Sequence, residues 1–369
     1  MSHALSPIDA ARRQKGAALI LVLFIVATLA VIAIGLTDQT VVAAARGRNE
    51  ANRTQMFWRM HAAESLASAL LSQALEVKST MSLDDIWAAQ SFDLSVLADN
   101  EGETGSIRFA DATGCFNLNA LDTARAASSG GGSSAVVGGG AQGGGGSSAA
   151  SALPPAERML EEYVAVLSSI GISESDARQL GIRVRDWIDA DQTPGPGGAE
   201  DETYQRLPVP YRPGNTLLAD VTELRAMLGV DPTFLTGITP LVCAHPTAEP
   251  SRININMLTP LDAPVLVGLF EGAISLSDAE ALIEGRPLGG YDTVADVFRA
   301  SVLAGTVFDR ARVSQRLDVR SRYLQARLNL AFGKTLLDIK ARRFRSLTSN
   351  SMVTSKRVLP KARFNRACR

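Results

Sequence analysis

Five carboxylates, Asp189, Asp191, Glu200, Asp201 and Glu202, fall within fourteen residues of the string RDWIDADQTPGPGGAEDETYQRLPVPYRPGN at 185–215. Five consecutive Pro and Gly residues, PGPGG at 194–198, bend the chain between the two acidic groups. Asp-x-Asp sets Asp189 and Asp191 on one side of an extended turn, and the loop can return Glu200 and Asp201 to meet them. A tight loop rich in oxygen ligands suits a hard cation such as Ca²⁺. Without one, the carboxylates repel each other in a loop that has little apolar content to order it. The spacing is not that of an EF-hand, since the central Gly and the twelfth-position Glu are out of register. The plainer reading is a solvated acidic loop that caps helix ends. Paired carboxylates also serve acid–base catalysis. Here no His, no nucleophile–base pair and no phosphate-cradling loop accompanies them, so no enzyme is expected.

Helices must position this loop. Pro155 opens one through about Ile170, and Ser173 caps a second, Ser-x-x-Asp to Asp176, running to about Ile188. Beyond the loop, Asp220 or Thr222 caps VTELRAML, which Gly229 stops. DAPVLVGLFEGAISLSDAEALIEG reads as two helices about a turn at Gly272, and TVADVFRA as a third. Strand patterns flank this helical region. GSIRFADATGCFNLNAL at 105–121 alternates as one or two strands, RININM at 252–257 as a short one, and YLQARLNLAF-GK-TLLDIKARRF at 323–344 as a hairpin. A Gly/Ser tract at 128–151, with Val136 and Val137 as its two larger apolar residues, is too poor in apolar side chains to build a core.

Two similar strings, FNLN at 116–119 and ININ at 253–256, carry Asn117, Asn119, Asn254 and Asn256. The expectation is that these side chains bond local backbone in turns. If the two strings lie side by side, Cys115 and Cys243 come into range of each other, either as a disulfide or as two free thiols. Cys368 is the third cysteine. With no Cys-x-x-Cys, and with His3, His61 and His245 far apart in the chain, a zinc site is not expected.

At the other end, Arg12, Arg13 and Lys15 precede Gly16, and twenty uncharged residues follow at 17–36. As a helix these rise about 30 Å, one hydrocarbon core. That is longer than the apolar part of a cleavable secretory signal. The flanking basic residues orient the N-terminus inward and export the rest. The helical pattern continues through Met56, Met60, Ala63, Leu66, Ala67, Leu70 and Leu71.

The whole chain has a net charge of −1, but 333–369 alone carries eleven Lys/Arg and one Asp, +10, leaving −11 for the rest. An acidic body with 5% aromatic residues is a poor nucleic-acid surface.

The basic leader ending in Lys-Gly before a long apolar helix resembles the prepilin family. That resemblance implies cleavage between Gly16 and Ala17 by a prepilin peptidase, N-methylation of Ala17, and a Glu at the fifth mature position. Leu21 stands there instead, as expected of a terminal subunit with no neighbour above to pair the charge. With GCFNLNAL, DWIDADQTPGPGGAEDETY, PYRPGNTLLADVTELRAMLG and ININMLTP following in that order, the chain resembles the minor pseudopilin K family of type II secretion.

The resemblance implies an α+β pseudopilin fold: a long N-terminal transmembrane helix, a small antiparallel sheet and a large inserted α-helical domain. Its expected layout is leader 1–16, transmembrane helix 17–36, exported helix 37–78, strands 79–121, Gly/Ser insert 128–151, helical domain 152–320 with acidic loop 186–202, C-terminal strands 321–345 and basic tail 346–369. The tail is expected to be a disordered end. The resemblance also implies Ca²⁺ on Asp189, Asp191, Glu200 and Asp201, and an inner-membrane location with a periplasmic body. The implied partners are pseudopilins I and J in a tip complex, with secretin or secreted cargo as further contacts. The alternative is a membrane-anchored helix-hairpin-helix DNA receptor. Its phosphate-binding Gly-x-Gly turn is replaced here by FEGAIS, with Glu271 beside the one Gly.

Overall fold

The computed structural model describes residues 7–77, 80–94, 104–122, 153–332, 335–345 and 352–359. The Gly/Ser tract, Cys368 and the first six residues lie outside them. Two compact units divide the chain, 1–66 and 67–369.

The described residues of the first unit, 7–66, are helical. Helix α1, Pro7–Val77, starts at a proline, whose missing N–H costs nothing in a first turn, and contains no other. It includes both Gly16 and Ala17. The stretch from Leu19 is long and apolar enough to cross a membrane and is not buried inside the protein. Leu21 is 63% exposed. The hydroxyls of Thr28 and Thr37 donate to the carbonyls of Ile25 and Ala33, 2.8 Å each. A polar side chain in an apolar helix is thereby satisfied within its own turn.

The second unit holds an antiparallel sheet and a helical region. After the short helix α2 (Ile86–Ala89) come strands β1 (Ser91–Asp93), β2 (Thr104–Asp111) and β3 (Phe116–Asn117). Helices α3 (Pro155–Ser169), α4 (Glu174–Ile188), α5 (Asp201–Gln205) and α6 (Pro232–Ile238) precede strands β4 (Val242–Cys243) and β5 (Ile253–Asn254). Then follow α7 (Ala263–Leu269), α8 (Leu276–Glu284), α9 (Val294–Val297) and α10 (Arg310–Arg316). The chain closes with β6 (Leu317–Asp318), β7 (Tyr323–Phe332), β8 (Thr335–Arg345) and β9 (Met352–Leu359).

The five-stranded sheet has the order β1-β2-β7-β8-β9. The β7–β8 hairpin pairs Phe332 with Thr335 across two residues, as its alternation predicts. The basic end departs from expectation. Residues 352–359 form β9, with Met352 opposite Arg345 and Leu359 opposite Asp338. Val353, Thr354 and Val358 are β-branched, and β8 would otherwise present an unpaired edge.

The two Asn strings do not pair with each other. Strand β3 pairs in parallel with β4, and β5 in parallel with β6. Each string is a strand end followed by a 3-10 turn, 118–121 and 255–257. The amide oxygens of Asn117 and Asn254 close that turn locally, accepting from the N–H of Asn119 and Asn256. The NH₂ groups instead reach far along the chain. Asn117 donates to the carbonyls of Thr247 and Glu249, and Asn119 to those of Leu218 and His245. Asn254 donates to Met81, and Asn256 to Tyr291. A turn residue can cap locally and cross-link distantly at once, because an amide has both an acceptor and two donors.

The helical core is knit by α3, whose neighbours approach at glycines. A Cβ on Gly181 would lie 2.5 Å from Leu160 Cδ1, and one on Gly268 2.3 Å from Val166 Cγ2 and 2.9 Å from the Glu162 carbonyl. Glu162, 1% exposed, accepts a two-pronged pair from Arg316, 2.9 Å on each arm. Gly268→Ala is expected to cost about 1–3 kcal/mol through overpacking. Gly237→Ala, in α6 with nothing within 4 Å of its Cβ, should be neutral or gain about 0.5–1 kcal/mol. Urea unfolding of the two variants separates them by sign.

Candidate metal centre

The site is built on the last turn of α4. Ser173 caps that helix from the N–H of Asp176, 3.2 Å. Apolar residues Leu180, Val184 and Ile188 hold it in the core. Asp186 lies in the last turn and Asp189 is the C-terminal cap residue. Trp187, between them, packs edge-on to Tyr204 at 5.2 Å.

Asp186 fixes the returning loop. Its carboxylate accepts from the N–H of Gly195 (3.1 Å) and Ala199 (2.9 Å). The loop passes so close that a Cβ on Gly198 would lie 1.8 Å from Asp186 Oδ2. Only glycine fits there. This brings Glu200, the cap of α5, back to the end of α4. Oxygens of Asp186, Asp189 and Glu200 then lie within 4.8 Å of one another.

Glu200 is 3% exposed, and neither of its oxygens has a hydrogen-bond partner; Asp189 Oδ1 is likewise buried without one. Buried unpaired carboxylate oxygens are costly. Burial, followed by repulsion from Asp191, Asp186 and Asp122, pushes Asp189 up to about 6. Burial, followed by repulsion from Asp189, Asp186, Asp191 and Asp201, pushes Glu200 up to about 7. Asp186 is also raised, chiefly by burial. A concentrated, dehydrated set of carboxylate oxygens has the donor chemistry of a Ca²⁺ site.

Of the four carboxylates read from the sequence, the structure brings Asp189 and Glu200 into this cluster and leaves two at its margin. Asp191 is spent on the N–H of Thr193, 2.7 Å. Asp201 faces Arg212 at 3.5 Å. Sequence reasoning missed Asp186. Its place at i−3 from Asp189 on α4 was the available signal, since i and i+3 share a helix face.

The structure joins Cys115 to Cys243 in a disulfide, with Cα atoms 5.7 Å apart. His245 lies beside it, Nε2 3.4 Å from Cys243 Sγ. The three residues thus meet despite their distance in sequence, because the β3–β4 pair brings them together.

At the helical hairpin, Glu271 occupies the turn with φ +51° and is ion-paired to Arg312. The turn is occupied by a carboxylate engaged with Arg312, and the DNA-receptor reading finds no support.

Comparison with known proteins agrees with this architecture. Residues 114–247 and 253–320 match the two family domains described as type II secretion system protein K. Each matched segment opens on one Asn string and contains its parallel strand partner. The chain is 32% identical over 322 residues to the type II secretion system protein K of Pectobacterium carotovorum subsp. carotovorum, covering 87% of this chain and 89% of that one. It is 37% identical over 304 residues to that of Dickeya chrysanthemi, covering 79% and 83%. A chain in the crystal structure of the GspK–GspI–GspJ complex from enterotoxigenic Escherichia coli superposes with a TM-score of 0.65 at 25% identity, covering 85% of this chain and 99% of that one. The chain belongs to the type II secretion system protein K family and is a minor pseudopilin of that system.

Proposed function

We propose that this pseudopilin is processed between Gly16 and Ala17, stands in the inner membrane with its body in the periplasm, and caps the pseudopilus tip with I- and J-type partners. The observation that carries the reading is the likeness to a chain of the GspK–GspI–GspJ complex across nearly all of that chain. Two features of this sequence support it. Leu21 removes the carboxylate that would need a neighbour's N-terminus as its partner in lipid. The helical region inserted between β2 and β7 of the sheet is a bulk that a subunit with others stacked above it has no room for. The role is structural rather than catalytic, with the tip as a surface for cargo or secretin. Ca²⁺ held by Asp189 and Glu200, with Asp186 tying the loop around it, rigidifies that surface.

The test is co-expression of the full chain with cognate I and J pseudopilins and the prepilin peptidase, followed by membrane extraction. The expected result is an N-methylated Ala17 at the mature terminus and co-elution of all three subunits. An intact Met1, a start at Arg46 after the small-residue run VVAAA at 41–45 as a cleaved secretory signal would leave, or a chain that elutes without its partners would overturn the reading.

A further inference from the structure

The Cys115–Cys243–His245 cluster lies apart from the acidic centre, and the tip role does not use it. Cys243 and His245 stand two apart at and just beyond β4, the spacing that puts side chains on one face of an extended chain. His245 is 2% exposed, and its backbone is pinned on both sides: its N–H donates to Asn117 Oδ1 (3.0 Å) and its carbonyl accepts from Asn119 Nδ2 (2.6 Å). Its ring stacks on Tyr323 with centroids 4.6 Å apart. The orientation that points Nε2 at the sulfur is therefore built into the fold.

We propose that, when the disulfide is reduced, Cys115, Cys243 and His245 form a zinc site. With the two sulfurs joined in the disulfide, the three ligand atoms lie within 4.8 Å of one another. The Cys243 Sγ to His245 Nε2 distance is 3.4 Å. A tetrahedral ion with Zn–S of about 2.3 Å and Zn–N of about 2.0 Å sets an S···N edge of about 3.5 Å. Once the bond is broken, the two sulfurs must separate to about 3.8 Å, the S···S edge of the same tetrahedron.

All three residues line a cavity of about 460 Å³, together with Asp111, Thr239 and Gln325. The cavity gives the ion an entry path and leaves the fourth position to water. Two electrons from a dithiol reductant break the sulfur–sulfur bond. Zn²⁺ then displaces the two thiol protons, while neutral His245 supplies its lone pair. Oxidation reverses this: the two thiolates return two electrons to a disulfide oxidant, the bond re-forms and the ion is released. Zinc and the disulfide are alternative ways of joining β3 to β4.

The test uses the full chain in detergent, with Cys368→Ser to remove the third thiol, and Co²⁺ as the spectroscopic probe. The reduced chain should take up Co²⁺ with thiolate-to-cobalt charge-transfer absorption, which Zn²⁺ then bleaches. The oxidised chain should show no such band, whatever ions its carboxylates hold. His245→Gln should weaken Co²⁺ binding at least about tenfold, and Cys115→Ser should abolish the paired-thiolate spectrum. A reduced chain without the band, for whatever reason, overturns the assignment. A band of unchanged affinity in His245→Gln removes the histidine and overturns it equally.

Discussion

Replacing both Cys115 and Cys243 by serine should lower the thermal midpoint of the body by roughly 10 °C, the largest loss expected from any change outside the helical core. The bond spans 128 residues. In the chain-entropy account, a closed loop of about 100 residues constrains the unfolded state by about 4–5 kcal/mol. A domain of this size shifts by about 2–4 °C per kcal/mol, and total stabilities run about 5–15 kcal/mol. The loop contains α3 to α6 and the acidic centre, so these elements gain most from closure. The Gly/Ser tract also lies inside it, and here the magnitude decides that its length matters little. Deleting 128–151 would shorten the loop by a fifth, which loop-closure entropy values at about 0.2 kcal/mol. Circular-dichroism melting of the serine variant and of a tract-deleted chain, both non-reduced, checks the pair of expectations. A midpoint within about 3 °C of the parent in the serine variant would mean that the Asn cross-links alone hold β3 to β4.

Helix positions were legible in the sequence where caps and period coincide. Ser173 with Asp176 and Pro155 mark α4 and α3 to within a residue, because the signal is local. The β7–β8 hairpin was legible for the same reason. Partners of the two-residue strands were not. Nothing local in FNLN says that its neighbour is Val242–Cys243, 126 residues on, or that ININ pairs with Leu317–Asp318. Similarity between the strings invited pairing them with each other, whereas each is the opening strand of its own segment. The acidic loop was half legible. Composition marked it, but Asp-x-Asp suggested that Asp191 shares the site with Asp189. The chain instead spends Asp191 on its own turn and recruits Asp186 from the helix. β9 was hidden because a run of basic residues reads as solvated end, and pairing is decided by the vacant edge of β8 rather than by its own charge.

Glu200→Gln should have opposite effects with and without calcium. In the metal-free body, three raised carboxylates cost stability when they ionise. Below about pH 3 the folded and unfolded forms are both protonated there and nothing is lost. Between the ordinary values of 3.8 and 4.5 and the folded values of about 6 for Asp189 and about 7 for Glu200, the folded form holds protons that the unfolded form has released. Stability from these groups therefore falls as pH rises through this window and is lowest above about pH 7. Gln removes one charge from the cluster, so the metal-free variant should be more stable than the parent at pH 7.5, by on the order of 1–3 kcal/mol. Calcium inverts the order. It needs the ionised oxygens, and at a hundredfold excess over its dissociation constant it adds about 2.7 kcal/mol. That gain should be greatest above pH 7, fade below pH 6, and be largely absent in Glu200→Gln. Thermal midpoints at pH 5 and 7.5, in EGTA and in calcium, read all four corners. Asp191→Ala, at the margin, should keep most of the calcium increment. A parent whose midpoint ignores calcium, or a metal-free Glu200→Gln less stable than the parent at pH 7.5, would mean that the three carboxylates are accommodated by the loop itself and hold no ion.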